Sequence, residues 1–273
     1  MNTAPEFAGM TALVTGARQG IGRAIALALA RHGATVGIVD IGDDIQSVAA
    51  DITADDQVAA TGGRALGYLG DVTSAEAMAE VVADLNVNAG TIGILVNNAG
   101  TLGHRGVLWE SDPAMWQRTI EVNLIGVYRV TRAVVPQMVA AGAGRVINVA
   151  SISGKQGSVA NSAYSASKHG VIGLTRSLAG EFGMSPSTRA LTANAICPGV
   201  VDTAMGDEVI EQLGRLIGSS RQEILDQYVL PSSHQKRLIH IDEIADMAVY
   251  LASEKARGIT GQAINICGGS VFY

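Results

Sequence analysis

The sequence predicts one doubly wound α/β domain built on a parallel sheet. Short apolar runs of strand length alternate with helix-forming segments along all 273 residues, with no repeats and no interior linker. Hydrophobic residues make up 48% of the chain and charged residues 16%, as expected where parallel strands are buried on both faces. The 33 glycines suit many tight connections between strands and helices. These observations favour a single domain over residues 1–273.

Composition also limits the function classes. A formal net charge of −6 argues against a protein that binds nucleic acids or anionic membranes. Cys197 and Cys267 give neither a disulfide framework nor a metal-ligand spacing, so we expect no metal and two buried thiols in a reducing compartment. Residues 1–7 show no signal peptide, and no apolar run approaches the ~18 residues of a membrane span. We therefore expect a cytoplasmic protein.

A strand, a glycine-rich turn and a helix open the regular structure. Residues 10–15 are apolar and rich in β-branched side chains, and residues 23–31 are strong helix formers. Between them, Gly16, Gly20 and Gly22 let the backbone turn tightly and approach a ligand closely. The helix N-terminus then faces an anion such as a pyrophosphate. The spacing differs from the more common G-x-G-x-x-G pattern, and a purely structural turn is the alternative.

The second strand, residues 34–40, ends in an acid. Asp40 lies about 20 residues beyond the glycine turn, where a carboxylate can hydrogen-bond the adenosine ribose. The same carboxylate repels the 2′-phosphate of NADP, so Asp40 favours NAD. Arg18 opposes this reading, because a guanidinium in the turn can meet a 2′-phosphate. We rank Asp40 above Arg18, and a solvated Asp at a strand end is the structural alternative.

The next elements continue the alternation of helix and strand. A long helix is predicted from about residue 44 to 61. Asp71 follows the third strand, where it can accept a hydrogen bond from adenine unless Thr73 or Ser74 simply caps the next helix. Two amides and a glycine at residues 97–100 suit a loop beside a cofactor. The other elements predicted here are the strands 64–69 and 92–96 and the helix 75–89.

A further amide lies inside the long helix that begins at residues 111–113. Asn123 stands in the otherwise apolar stretch 122–127. An Asn in mid-helix is locally unfavourable and needs a partner. We interpret it either as a catalytic or water-binding amide or as a buried Asn that satisfies a neighbouring loop.

The pattern most suggestive of chemistry lies in residues 151–168. Tyr164 and Lys168 are four residues apart, so a helix places both side chains on one face, about one turn apart. An ammonium beside a phenol lowers its pKa from about 10, and such a phenol can take a proton from an alcohol near neutral pH. Ser151 ends the fifth strand, residues 145–150, at the edge where open α/β sheets bind ligands. A solvated Lys beside a half-buried Tyr is the alternative.

The C-terminal third completes the sheet around an irregular segment. Residues 198–203 form an extended turn, with Pro198 and Gly199 at its start. From residue 204 to 240 the pattern is irregular and more polar, with short helical pieces around 208–217 and 221–228, and we interpret it as a substrate lid. The other elements predicted here are the strands 191–197 and 263–266 and the helix 241–253.

Together these motifs occur in an order that resembles the short-chain dehydrogenase/reductase family over about residues 9–269. Ser151 stands thirteen residues before Tyr164, as in many members. The matching motifs are Thr15-Gly-x-x-x-Gly-x-Gly22, Asp71, Asn97-Asn-Ala-Gly100, Asn123, Ser151, Tyr164-x-x-x-Lys168 and Pro198-Gly199. The chain departs from the family pattern at residues 184–192. This segment, which joins the helix that carries Tyr164 and Lys168 to the sixth strand, is longer than usual.

The resemblance implies a Rossmann-type sheet of seven strands, NAD as cofactor and assembly as a homotetramer. It implies a catalytic set in which Tyr164 takes the proton, Ser151 holds the substrate oxygen and Lys168 tunes the phenol. Asn123, the fourth member, is expected to hold a water. By likeness, Asp71 and Val72 lie near adenine, Asn98 near the nicotinamide-side ribose, and Val201 and Thr203 near the carboxamide. The full expected cofactor set is Gly16, Arg18, Gln19, Gly20, Ile21, Gly22, Asp40, Asp71, Val72, Asn98, Ala99, Gly100, Tyr164, Lys168, Pro198, Gly199, Val201 and Thr203.

The sequence thus predicts an NAD-dependent oxidoreductase that interconverts a secondary alcohol and its ketone by hydride transfer. Polar residues expected in the pocket favour a polyol, a sugar or a hydroxy acid; they are His104, Arg105, Ser153, Lys155 and Gln156. The first alternative is an NADPH-dependent 3-oxoacyl reductase, against which Asp40 argues. A non-catalytic NAD-binding protein on the same fold is another, as is an epimerase or dehydratase that recycles its nicotinamide.

Overall fold

Seven parallel strands form one sheet at the centre of the computed structural model, which describes residues 5–273. The strands are β1 (Thr11–Thr15), β2 (Thr35–Asp40), β3 (Arg64–Leu69), β4 (Ile92–Asn97), β5 (Arg145–Val149), β6 (Thr192–Pro198) and β7 (Ala263–Ile266). Their order in space is β3-β2-β1-β4-β5-β6-β7. The predicted doubly wound, seven-stranded sheet is therefore confirmed. The strand order reverses between β1 and β4, and open sheets of this kind bind ligands at such a point.

Helices cover both faces of the sheet. They are α1 (Gly20–Arg31), α2 (Ile45–Thr53), α3 (Asp56–Thr61), α4 (Ala75–Ala89), α5 (Pro113–Ile120), α6 (Gly126–Ala141), α7 (Ser162–Phe182), α8 (Ala204–Ile217), α9 (Arg221–Ile224), α10 (Leu230–Ser232) and α11 (Ile241–Ala252). Successive β1 side chains alternate between two cores: Ala12 and Val14 pack with α1 and α11, and Leu13 packs with α4, α6 and α7. Both faces of the strand are thus buried, as its apolar sequence requires.

Short segments complete the connections. Single 3₁₀ turns lie at Leu108–Glu110, Ile152–Gly154, Pro186–Thr188 and Glu254–Ala256. The third of these lies in the segment 184–192, where the chain departs from the family pattern. No helix within residues 5–273 combines the length and apolarity needed to cross a membrane. The sequence predicts that residues 1–7 are not a signal peptide. Residues 1–4 of this segment lie outside the described residues.

The helix predicted from about residue 44 to 61 is instead two helices. Asp55 starts α3 by accepting hydrogen bonds from the backbone N–H groups of Gln57 and Val58, at 3.1 and 3.2 Å. Arg31 of α1 donates to the same carboxylate through Nη2 at 2.6 Å, and this bond is the main reason that the pKa of Asp55 falls to about 2. Asp is a preferred N-cap residue, so a cap inside an Ala-rich segment ends one helix and begins the next.

The segment 204–240 is more regular than predicted. Helix α8 is continuous over fourteen residues, and Thr203 Oγ1 caps it by accepting from the Gly206 N–H at 3.1 Å. After α9, a π-turn at Leu225–Val229 leads into α10. Ile210, Ile224 and Val229 bury their side chains in a small core of their own. The segment looked irregular in sequence because its helices are short and amphipathic, with most positions facing solvent.

Candidate active site

A cavity of about 790 Å³ opens at the carboxyl edge of the sheet, beside the reversal of strand order between β1 and β4. Most of the predicted site residues line it: Gly16, Gln19, Gly20, Ile21, Asp40, Asp71, Val72, Asn98, Ala99, Gly100, Ser151, Tyr164, Lys168, Pro198, Gly199, Val201 and Thr203. Arg18, Gly22 and Asn123 are not part of its wall.

The glycine turn is shaped by close approach to the end of β4. Gly16 has a φ of +64°, and a Cβ at this position would lie 2.6 Å from Ala99 Cα. A Cβ at Gly22 would lie 2.3 Å from the Gly16 carbonyl oxygen, so Gly22 packs α1 against the turn and does not face a ligand. The Asn98 amide donates to the carbonyls of Thr15 and Gly16 at 3.1 and 2.9 Å. The turn is therefore locked from two sides.

The first turn of α1 fits an anionic group. Gln19 occupies the N-cap position without capping the helix through its side chain, and the first turn holds no acidic residue. Gly20 has a φ of +57°, and a Cβ there would meet only a Thr203 methyl group, at 3.8 Å. Backbone N–H groups at an uncapped helix start bind phosphates well. With Gln19, Gly20 and Ile21 in the cavity wall, this end of the site fits the pyrophosphate of a dinucleotide.

Asp40 is fixed in the cavity wall by backbone donors. Its carboxylate oxygens accept from the N–H groups of Arg18 and Gly42, each at 3.2 Å. The Arg18 side chain points elsewhere, because its Nε donates to Asp44 Oδ1 at 2.5 Å. The two residues that the sequence sets against each other are therefore in contact through the Arg18 backbone, but Asp40 lines the cavity while the Arg18 guanidinium is paired with Asp44.

Ser74, one of the two residues considered as a cap, does cap the next helix, and Asp71 is held by the same turn. The Asp71 carboxylate accepts from the Thr73 N–H at 2.8 Å and from Arg118 Nη2 at 3.3 Å, while Ser74 caps α4 by accepting from the Ala77 N–H at 3.1 Å. Asp71 nevertheless lines the cavity together with the buried Val72. The turn before α4 is therefore a structural cap that also presents a carboxylate to the cavity.

Tyr164 and Lys168 lie together at the other end of the cavity, beside Ser151. Lys168 is only 4% exposed; its Nζ donates to the Val149 carbonyl at 2.9 Å and lies 5.7 Å from the centre of the Tyr164 ring. Ser151 Oγ accepts from the Ser153 N–H at 3.1 Å, which holds the hydroxyl at the end of β5. Sequence spacing and strand position therefore predict this cluster correctly.

The electrostatics of the cluster differ from the prediction. Burial raises the pKa of Tyr164, and the nearby Ser151 hydroxyl lowers it only in part. Burial also lowers the pKa of Lys168, to about 8. The expectation that Lys168 lowers the pKa of Tyr164 is wrong for the protein by itself, because desolvation disfavours both charged forms. A further positive charge in the cavity would favour the phenolate.

Asn123 has the structural role considered for it. A π-turn at Glu121–Ile125 interrupts the predicted long helix between α5 and α6. Within it, Asn123 Oδ1 accepts from the Thr101 N–H at 2.8 Å, and Nδ2 donates to the Thr101 carbonyl at 2.8 Å and to Ser167 Oγ at 3.2 Å. The side chain is fully buried and ties the loop after β4 to α7.

The prediction of which polar residues line the substrate pocket is only partly correct. Arg105 and Ser153 line the cavity, but His104, Lys155 and Gln156 do not. Lys155 instead donates to the carbonyls of Ala263 and Tyr273 at 2.5 and 2.6 Å, which secures the C-terminus. Asn161, which the sequence analysis did not single out, also lines the cavity. Its position just before a helix gave the only signal, and that signal indicated a helix cap.

Replacing Lys168 with Met is expected to stabilise the fold at neutral pH by about 1–3 kcal/mol. The native Lys168 pKa of about 8 lies below its ordinary 10.5. At pH 7 the amine is charged in both states, so the folded state bears the whole desolvation penalty. Between about pH 8 and 10.5 the folded protein binds fewer protons than the unfolded chain, so native stability rises and the advantage of Met should shrink.

Urea unfolding of both proteins at pH 7 and pH 10 measures this change. Lys236→Met removes the same charge from an exposed position and serves as the matched control, with little effect expected at either pH. A Lys168→Met variant less stable than the native chain at pH 7 would show that the bond to the Val149 carbonyl outweighs the desolvation penalty.

Comparison with known proteins agrees with this geometry. The family model for short chain dehydrogenase matches residues 10–214. A D-beta-hydroxybutyrate dehydrogenase of Rhizobium meliloti (strain 1021) is 35% identical over 262 residues, covering 95% of this chain and 97% of that protein. An actinorhodin polyketide ketoreductase solved with NADPH is 35% identical with a TM-score of 0.88, covering 99% of this chain and 100% of the other. An NAD+-bound xylitol dehydrogenase is 30% identical with a TM-score of 0.88, covering 97% and 100%.

Proposed function

The chain belongs to the short-chain dehydrogenase family of oxidoreductases, which bind a nicotinamide cofactor, and we propose that it interconverts a secondary alcohol and its ketone with NAD. The observation that carries the proposal is the cluster of Ser151, Tyr164 and Lys168 in the wall of the dinucleotide-sized cavity. Polyols, sugars and hydroxy acids are the substrate classes that we propose, because Arg105, Ser153 and Asn161 add polar groups to the cavity lining.

Tyr164 is the group that exchanges a proton with the substrate oxygen. It is the phenol at the catalytic end of the cavity, and its hydroxyl interacts with Ser151. Ser151 already accepts from the Ser153 N–H, so its own proton is free to bond the substrate oxygen and hold it beside Tyr164. Two polar groups thus converge on one oxygen atom, as proton transfer from an alcohol requires.

Lys168 places an ammonium beside Tyr164, to which the charge of a bound cofactor is added during turnover. One ammonium proton is committed to the Val149 carbonyl, which leaves two free to bond groups in the cavity. When bound, an oxidised nicotinamide supplies the hydride acceptor and a positive charge that favours the phenolate. Residues at the α1 start and Asp40 hold the pyrophosphate and the adenosine ribose in this proposal, as their positions in the cavity wall allow.

A second candidate is an NADPH-dependent 3-oxoacyl or other carbonyl reductase. It is supported by the likeness to the actinorhodin polyketide ketoreductase with NADPH, at 35% identity over nearly the whole chain. The placement of Asp40 in the cavity and the pairing of Arg18 with Asp44 favour NAD instead. The NAD+-bound xylitol dehydrogenase shows that the other cofactor also occurs among similar structures.

Absorbance of the reduced nicotinamide tests the proposal. NAD or NADP is supplied at mildly alkaline pH against a panel of polyols, sugars, hydroxy acids and simple secondary alcohols. We expect a signal with NAD and one substrate class. A signal with NADP alone would favour the reductase, and NADH binding without any turnover would favour a non-catalytic protein or an epimerase or dehydratase.

Assembly as a homotetramer, a lid over residues 204–240 and a cytoplasmic location remain part of the proposal. Large apolar side chains that would profit from a subunit contact are exposed at Trp109, Tyr128, Phe272 and Tyr273. Helix α8 lines the cavity through Met205, as a lid should. Light scattering coupled to size-exclusion chromatography measures the mass in solution, and a monomer would contradict the tetramer.

A further inference from the structure

Arg105 brings an unneutralised cation to the catalytic end of the cavity. It lines the wall together with Ser151, Ser153 and Tyr164, and within residues 5–273 it forms no ion pair with an Asp or Glu. Its Nη1 donates to the Val159 carbonyl at 3.1 Å, and its Nε is buried without a hydrogen-bond partner. The side chain is partly withdrawn from water, and this burial lowers its pKa. An unpaired charge in such a place is costly unless a ligand compensates for it.

Asn161 is a second polar side chain without a partner in the same wall. It is 3% exposed, and its Oδ1 is buried without a hydrogen bond. Asn161 also occupies the N-cap position of α7, where Asn usually accepts from the backbone, yet its side chain caps nothing. Buried amides are normally satisfied, and Asn161 lines the cavity with no side-chain hydrogen bond to the described residues at either end, so its Nδ2 group is available to donate to a ligand, while its idle Oδ1 can accept only from an N–H or O–H group.

The backbone holds these two side chains in fixed relation. The Gly106 N–H donates to the Ala160 carbonyl at 2.8 Å, so the segment that carries Arg105 is bonded to the residue before Asn161. Ala160 has a φ of +55°, a left-handed conformation unfavourable for Ala that persists only where the surroundings enforce it. From the other side, Gln212 of α8 donates to the Gly103 carbonyl at 3.1 Å.

The carboxylates of the cavity do not neutralise Arg105. Asp40 is held by the Arg18 and Gly42 backbone, and Asp71 is paired with Arg118. Asp202, the third acid of the wall, makes no ion pair with Arg105. No carboxylate of the described cavity wall therefore balances the charge of Arg105, and an anionic substrate would do so.

We propose that Arg105, assisted by Asn161, binds the carboxylate of the substrate, so that the enzyme acts on hydroxy acids in preference to polyols and sugars. This inference rests on the proposed function. The guanidinium presents a planar pair of N–H donors that matches a carboxylate, and Asn161 Nδ2 supplies a further N–H donor, whereas the idle Oδ1 of Asn161 takes no part in binding an anion. Ser151 and Tyr164 line the same cavity, so the carbinol oxygen of the same molecule can bind to them.

The test compares a short 3-hydroxy acid with its methyl ester, which keeps the alcohol and removes the charge. We expect the native enzyme to favour the acid in kcat/KM by at least about tenfold, as a charge-assisted hydrogen bond implies. Arg105→Gln should lower kcat/KM for the acid by about 10- to 100-fold, mainly through KM, and leave the ester within about threefold. Arg105→Lys should recover part of the loss. Arg176→Gln, on an exposed part of α7, removes the same charge and should change neither substrate.

Calorimetric titration of the NADH-loaded protein with butyrate gives a readout that needs no turnover. Binding that is lost in Arg105→Gln and kept in Arg176→Gln supports the inference even if no alcohol is oxidised, which would sink the proposed function alone. If Arg105→Gln lowers kcat/KM equally for the acid and the ester, Arg105 serves only to hold the Val159 backbone, and the inference is overturned. A polyol preferred over the acid, butyrate binding indifferent to Arg105, or inorganic phosphate bound more tightly than butyrate would also overturn it.

Discussion

Replacing Tyr164 with Phe is expected to reduce turnover by about 10³-fold or more, while the variant folds and still binds NADH. The change removes one oxygen from a half-buried side chain and keeps the ring beside Lys168 Nζ, so packing is preserved. No neighbouring group can replace the lost function. The Ser151 hydroxyl has no base beside it, and the Lys168 ammonium is bonded to the Val149 carbonyl.

Steady-state kinetics and NADH fluorescence titration separate the two halves of this expectation. Tyr250→Phe makes the same change on the exposed side of α11 and should keep native activity. A Tyr164→Phe variant with more than about a tenth of native kcat would refute the assignment of Tyr164 as the proton-transfer group. A variant that also fails to bind NADH would mean that the hydroxyl serves binding and not only chemistry.

Most of the cavity wall was predictable because it sits on strand ends. Parallel strands whose carboxyl ends meet at one edge bring Gly16, Asp40, Asn98 and Ser151 together, and each stands directly after an apolar run in the sequence. The Tyr164/Lys168 pair follows from helical spacing alone. These are local patterns whose consequences in space are fixed by one regular architecture.

Contacts between distant segments were not predictable in the same way. The residues near Asn123 in sequence do not predict its hydrogen bonds to Thr101 and Ser167. The π-turn in which Asn123 lies packs against the loop after β4. Asn161 was hidden because its position before α7 suggests a cap, and only the structure shows that it caps nothing. Lys155 lies near Ser151 in sequence, which predicts a place in the pocket, but its ammonium instead donates to the main-chain oxygen of Tyr273.

The prediction that Lys168 lowers the pKa of Tyr164 fails for a related reason. Spacing shows that an ammonium is near the phenol, but the balance of pKa effects depends on how much water the surrounding fold removes. Here Lys168 is nearly inaccessible, so burial acts on both groups. Proximity of charges can be read from a sequence; the loss of hydration that opposes it belongs to the assembled core.

Asp40 is expected to set the cofactor preference. A 2′-phosphate close to its carboxylate would suffer a repulsion of about 1–4 kcal/mol for each of its charges, so we expect the native protein to prefer NAD over NADP by about 100-fold or more. Asp40→Asn keeps the side-chain shape and an acceptor for one of the two backbone N–H groups from Arg18 and Gly42. The ratio of kcat/KM for NAD over NADP should fall at least tenfold, chiefly because NADP improves.

A second substitution separates repulsion from attraction. Arg18 is withheld from the cavity by Asp44, so adding Asp44→Asn to Asp40→Asn should free the guanidinium to meet a 2′-phosphate and move the preference further toward NADP. Asp43→Asn removes a charge from the exposed neighbouring position and is the control for a general change of potential. If Asp43→Asn shifts the ratio as much as Asp40→Asn, the preference depends on the net charge of the region. If the native protein already prefers NADP, the assignment of Asp40 fails, and Arg18 must exchange Asp44 for the phosphate when the cofactor binds.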